Sequence, residues 1–327
     1  MSGARVVPSR CRRGNGLELG LSPPLPTRDG VGASCIALPS VFTTGTIAQF
    51  LVKQFPAITA QEWAHRMAAK EVIDEHGVQV TPTRGFEPGL KIYYYRALDM
   101  EPPIPFHEVI LFQDEQLVVV DKPHFLPVIP SGRYLQETLL VRLKRKLGID
   151  ALVPIHRIDR ATAGVVVFSA QENSRGKYQQ LFATREVSKT YEAVAPINPA
   201  LSFPLTHHSC MAADEHFMRM KEIAGDANSQ THFEIIRELT HTLALYRLRP
   251  ITGRKHQLRV HCAALGIAIV NDSMYPEFLP EPARDAQEDF TKPLQLLARA
   301  VEFLDPVTGE ARCFTSARQL LYMESLD

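Results

Sequence analysis

No apolar run in the 327-residue sequence approaches the ~18 residues that cross a bilayer, so a membrane-spanning helix is excluded. Cysteine is scarce as well. The five present (Cys11, Cys35, Cys210, Cys262, Cys313) are scattered, odd in number and never paired as Cys-x-x-Cys. That argues against a disulfide framework and a structural zinc site, and for a reducing, cytoplasmic setting. Net charge is also missing: 36 Lys and Arg balance 36 Asp and Glu. A neutral chain has no global attraction for a polyanion, but the charge is segregated. Between residues 141 and 190 ten basic residues stand against four acidic ones, and from Arg247 to Arg259 five basic residues meet no acid. Such stretches can grip a polyanion locally. The hydrophobic fraction of 45% is ordinary for a globular protein.

The most informative stretch is His156-Arg157-Ile158-Asp159-Arg160-Ala161-Thr162-Ala163-Gly164, followed by Val165-Val166-Val167-Phe168. The β-branched run reads as a strand buried on both faces. A turn dense in charge that feeds a core strand holds a reactive side chain at the edge of a rigid sheet. Its plain alternative is a surface ion-pair cluster on a loop.

A second dense segment is Thr252-Gly253-Arg254-Lys255-His256-Gln257-Leu258-Arg259-Val260-His261, followed by Gly266 and Ile269-Val270-Asn271-Asp272. It reads as a helix starting after Gly253, with Arg254 in its first turn. A two-histidine metal site at His256 and His261 is disfavoured, because a spacing of five takes them off a common face. In the strand Val187–Val194, Lys189 and Tyr191 lie two apart and share a face.

Elsewhere the pattern is coarser. Residues 1–43 have no hydrophobic period and read as a loose basic arm; they lack the apolar face of an organellar presequence. Ile47, Phe50, Leu51 and Phe55, then Trp63, Met67 and Ala68, suggest two helices. A hairpin turning at Gly77 and a strand Gly89–Arg96 follow, closing a unit over 44–100. Pro102, Pro103 and Pro105 mark a linker over 101–108. Strand, turn and buried strand over Ile110–Pro123 open the main domain, 109–327, with an amphipathic helix over Leu135–Leu147. Residues 200–225 read as loop, and their histidines and Cys210 fit no standard metal spacing.

Three ordered segments together resemble the RluA-like pseudouridine synthases. His156-Arg157-Ile158-Asp159 with Thr162 and Gly164 is similar to that family's His-Arg-Leu-Asp-x-x-Thr-Ser-Gly. The segment 252–261 resembles Thr-Gly-Arg-x-His-Gln-Leu-Arg-x-His, and Lys189-x-Tyr191 matches a Lys-x-Tyr. Departures fall at Ile158, Ala163, Ala268 and Asn271, and Arg299 stands where His is usual. The unit at 44–100 resembles the αL RNA-binding motif, although an ordinary helix-hairpin adaptor fits it too.

The resemblance implies an α+β fold on a mixed, mostly antiparallel sheet with flanking helices. It implies an isomerase that turns uridines of large-subunit ribosomal or transfer RNA into pseudouridine, as a monomer, with neither cofactor nor metal. Asp159 would be the catalytic carboxylate with Arg254 as its counter-ion, and Tyr191 would stack on the uracil. Arg157 would fill the space the base vacates. Lys189, Lys255 and Arg259, with His256 and Gln257 among them, would contact the RNA. Leu297, or its neighbour Leu296, would wall the pocket. A non-catalytic RNA-binding protein would have no reason to set Asp159 between two arginines. A glycosidase normally needs a second positioned acid, which neither dense segment contains.

Overall fold

The computed structural model describes residues 25–40, 45–96, 101–279 and 288–324. It divides into two units, at Glu101 and Pro102.

In the first unit, β1 (Ser34–Ala37), α1 (Ile47–Gln54), α2 (Ala60–Ala68), β2 (Val72–Asp74) and β3 (Lys91–Tyr94) build a three-stranded sheet, ordered β1-β3-β2, and two helices. α1 starts at Thr46 because Thr46 Oγ1 accepts from the Gln49 N–H (3.2 Å) and Gln49 Oε1 from the Thr46 N–H (2.9 Å), a reciprocal cap. Ile47, Phe50, Leu51, Trp63 and Met67 pack on Val72, Ile92 and Tyr94. Part of the expected arm is therefore ordered: Ile36 and Leu38 are buried in this core, and β1 pairs with β3. A four-residue strand that buries one side chain leaves too little alternation to be read. The rest of that arm, 1–24 and 41–43, lies outside the described residues.

The second unit holds β4 (Val109–Gln113), β5 (Leu117–Lys122), α3 (Leu139–Leu147), β6 (Val153–Pro154), β7 (Ala163–Ser169), α4 (Glu172–Thr184), β8 (Ser188–Pro196), β9 (Leu205–Ala213), β10 (Met220–Ile223), β11 (Ser229–Glu238), β12 (Leu243–Pro250), α5 (Gln257–Ala264), β13 (Leu296–Leu304), β14 (Ala311–Thr315) and α6 (Leu321–Glu324). The strand order is β10-β9-β11-β12-β8-β13-β7-β5-β4, with β14 beside β13 and β6 beside β7. Among the described residues of this unit only β13 and β7 pair in parallel; the other pairs are antiparallel. The architecture is the expected α+β one.

β5 and β7 are buried on both faces: Val118, Val120, Val166 and Phe168 pack toward α3, while Val119, Val165 and Val167 pack toward Tyr178 and Leu181 of α4. That two-sided burial, worth about 1.5–3 kcal/mol per large side chain, explains the unbroken apolar runs. Gly164 holds φ +112°, and a Cβ there would meet the Ala298 carbonyl oxygen at 2.2 Å. Only glycine permits β7 to lie this close to β13.

Two sequence expectations change here. The presumed linker is packed down: Ile104 is buried, and Arg142 on α3 donates to the carbonyls of Phe106 (2.6 Å) and Ile104 (2.8 Å). Residues 200–225, read as loop, contain β9 and β10. Thr206, His207, His208 and Ser209 show no apolar alternation, so only their pairing with β11 reveals the strand.

Candidate active site

The Asp159 turn is built from beneath. Lys122, fully buried at the end of β5, donates from Nζ to the carbonyls of Pro123 (2.8 Å), Leu126 (2.8 Å) and Arg160 (3.1 Å). His124 Nδ1 lies 2.7 Å from the Ala161 carbonyl, and the Thr162 N–H donates to the Asp159 carbonyl at 3.1 Å. Burial, together with the charge of Arg160, pushes the Lys122 ammonium well below its usual range. Burial likewise lowers His124 to about 4. His156 stacks on Phe182 with centroids 4.7 Å apart and accepts from the Val167 N–H at 3.1 Å. Burial, then the charge of Lys189, lowers it to about 3.

Against this turn stands α5. Arg259 Nη1 lies 3.4 Å from Asp159 Oδ2, while its Nε and Nη2 grip Asp272 at 2.8 and 2.5 Å. The guanidinium thus sits between two carboxylates, paired bidentately with the buried Asp272 and more loosely with Asp159, whose side chain is 31% exposed. Burial alone would lower the Arg259 pKa; the hydrogen bond and charge of Asp272, aided by Asp159, raise it instead. His256 Nε2 is 3.7 Å from Asp159 Oδ1, and its Nδ1 is 3.0 Å from Tyr275 Oη. Burial outweighs Asp159 and lowers the His256 pKa.

Tyr191 completes the group from β8. It is half-buried beside Ala161, on the sheet face that carries Leu296. Burial first, and the charge of Asp159 second, drive its phenol pKa upward, so the hydroxyl stays protonated at neutral pH. A Cβ on Gly253 would lie 3.8 Å from Lys189 Nζ, which puts that ammonium beside the loop entering the second motif. Arg157 is exposed at the start of the turn.

The expectations for Arg254, Arg259, Gln257 and Leu297 are corrected. The counter-ion of Asp159 is Arg259, not Arg254. The helix begins at Gln257, after His256 at φ 56°, so Arg254 stays in the preceding turn and its Nε donates to the Asn228 carbonyl at 3.3 Å. Arg259, expected to touch phosphate, is buried. Gln257 is structural: its Nε2 donates to the Gln230 carbonyl (2.9 Å) and Thr231 Oγ1 (3.0 Å), and its Oε1 accepts from Thr252 (2.6 Å) and the Arg254 N–H (3.0 Å). Leu297 points to the opposite face, into a cluster with Val194, Leu245 and Leu320. Lys255 remains exposed. Asn271 adopts φ 62° where the family pattern has glycine, a conformation asparagine tolerates better than most residues.

The sequence reading missed Lys122 and His124. An Asp121-Lys122 pair closing a strand of four apolar residues was the available signal for the first.

Residues 116–264 match the family model described as RNA pseudouridylate synthase. The chain is 32% identical over 229 residues to tRNA pseudouridine(31) synthase of Saccharomyces cerevisiae, covering 62% of this chain and 55% of that one. It spans little more than half of that yeast protein. With the dual-specificity RNA pseudouridine synthase RluA of Salmonella typhi it shares 31% identity over 221 residues, 65% of this chain and 94% of the relative. The structure of human RNA pseudouridylate synthase domain containing 1 has the same fold, with a TM-score of 0.54 at 22% identity, over 70% of this chain and 89% of that one.

Proposed function

This chain belongs to the RluA-like family of RNA pseudouridine synthases, and from that premise we propose how its own residues carry the reaction and on which RNA. The isomerisation breaks the N-glycosidic bond of a uridine, turns the base and rejoins it through C5. No atom is gained or lost. The protein has to extrude the nucleotide, present a carboxylate to it and retain the detached uracil.

The observation that carries the assignment is the convergence of Asp159, Arg259 and Tyr191, contributed by three separate segments, at one point of the sheet. Asp159 is the catalytic carboxylate. Arg259 keeps it oriented, yet most of that guanidinium's capacity goes to Asp272, so Asp159 is held loosely and stays partly exposed. Tyr191 forms the floor on which the uracil stacks, with a protonated hydroxyl able to donate. Arg157, exposed beside the turn, enters the space the extruded base leaves, offsetting an unstacking cost of a few kcal/mol. Lys189, Arg254 and Lys255 meet the phosphates. The N-terminal unit serves as an additional RNA-binding element. The substrate is a uridine in structured RNA, with transfer RNA the first class to test and large-subunit ribosomal RNA the second.

The test is a pseudouridine map of total RNA from cells with and without the gene, complemented by wild type or by Asp159→Ala. The expected result is that one or a few sites vanish and only wild type restores them. Unchanged maps alongside co-purifying RNA would replace this reading with a non-catalytic RNA-binding protein.

A further inference from the structure

His207 of β9, Glu222 of β10 and His261 of α5 come from three elements far apart in sequence, yet their ligand-type atoms lie within 4.8 Å of one another. His207 Nε2 is 2.9 Å from Glu222 Oε1, which is 3.9 Å from His261 Nε2. A zinc ion with bonds of ~2.0–2.1 Å separates its ligands by roughly 3.3 Å, so shifts of about 1 Å or less bring all three atoms to bonding distance.

From this we propose that His207, Glu222 and His261 form a binding site for a divalent transition metal of the zinc class. The set is of two imidazoles and one carboxylate, which suits a borderline cation that takes nitrogen and oxygen. His261 is fully buried and its ring is fixed from behind, since Nδ1 lies 3.0 Å from Thr231 Oγ1, the outer hydrogen bond that orients a metal-binding imidazole. Ser209 and Ser229 place hydroxyl oxygens 3.1 and 2.9 Å from His261 Nε2, and these hydroxyls rotate away or add a fourth oxygen. The His207 and Glu222 side chains are 21% and 25% exposed, which leaves a path for the ion.

The site lies apart from the proposed chemistry but bears on its frame. An ion here ties the β9–β10 hairpin to α5, the helix that carries Arg259. The hairpin already reaches the site through Tyr275, whose Oη accepts from the Met220 N–H at 2.8 Å and lies 3.0 Å from His256 Nδ1.

Untagged full-length protein, stripped with chelator and dialysed, is titrated with Zn²⁺ by calorimetry and with Co²⁺ by visible absorption. Wild type is expected to take up one equivalent, to show the Co²⁺ bands of a nitrogen–oxygen site, and to unfold at higher temperature with Zn²⁺ present. His207→Ala and Glu222→Gln, both partly exposed, are expected to weaken Zn²⁺ binding at least about tenfold. His208→Ala, the neighbour on the opposite face of β9, is expected to bind as wild type does. Absence of saturable binding by wild type, binding unaltered in the first two variants, or equal loss in His208→Ala overturns the site. RNA modification is not the readout, so failure here leaves the proposed isomerase reading intact.

Discussion

Two adjacent halves of one basic segment differ more than their composition suggests. Arg254 and Lys255 are exposed, whereas Gln257, Arg259 and His261 are 4%, 3% and 0% exposed. The division falls at His256, whose positive φ reverses the chain before α5 begins. Before it, the cations face solvent, with Arg254 Nε also donating to the Asn228 carbonyl. After it, the same residue types are desolvated, and each is committed to named partners. One arginine of the segment thus stays open to solvent before the turn, while the other, after it, holds Asp272 and Asp159.

The most damaging way to test this division is Arg259→Met. It leaves Asp272, whose side chain is 1% exposed, as an unpaired buried charge. A stability loss of about 3–5 kcal/mol in urea unfolding is expected, together with loss of activity, and a second change, Asp272→Asn, should restore part of the stability. Next comes Asp159→Asn, which should cut pseudouridine formation by about three orders of magnitude or more while moving the unfolding midpoint little, because its ion pairs are long and partly exposed. If Arg254→Ala matched that loss in rate, the division would fail.

A more gradual effect, spread over several pH units, should come with acid. The folded state holds His124 and His156 neutral, with pKa values of about 4 and about 3 against the unperturbed 6.5. Between pH 6.5 and these values the unfolded chain takes up protons that the folded one refuses, so stability is lost as pH falls through that window. Each histidine contributes at most about 1.4 kcal/mol per pH unit. Denaturant midpoints at several pH values measure this, and a flat profile would mean these rings are hydrated. The mildest change is expected from Arg254→Ala and Lys255→Ala. Each should lower the salt dependence of RNA affinity by about one released counterion, leaving single-turnover rates at saturating RNA and thermal stability unchanged. A filter-binding series in KCl reads it.

The family resemblance carried the fold class, while a dense motif and strand periodicity carried the Asp159 turn and the shared face of Lys189 and Tyr191. The sequence did not carry the Arg254–Arg259 exchange, because that depends on where α5 starts, and a histidine in a left-handed conformation leaves no pattern. The choice between Leu296 and Leu297 was equally hidden. β13 is buried on both faces, so its apolar residues do not alternate; only the register opposing Ala298 to Tyr191 decides. Lys122 and His124 act through backbone carbonyls 38 and 37 residues away, contacts that spacing along the chain does not encode. His207, Glu222 and His261 became neighbours only through the β9–β10 and β9–β11 pairings and the seat of α5.

The place of β13 has a consequence for the order of folding. It lies between β7, which follows Asp159, and β8, which carries Tyr191, and its parallel register with β7 joins Leu297 to Ala163. That contact has very high sequence separation, so its loop-closure entropy is met late and slows the final step. Until β13 inserts, the ladder consists of two half-sheets with open edges, and the aspartate and the tyrosine belong to different halves. A nascent chain shorter than about residue 297 therefore has both residues but no site, and exposes two strand edges prone to wrong pairing.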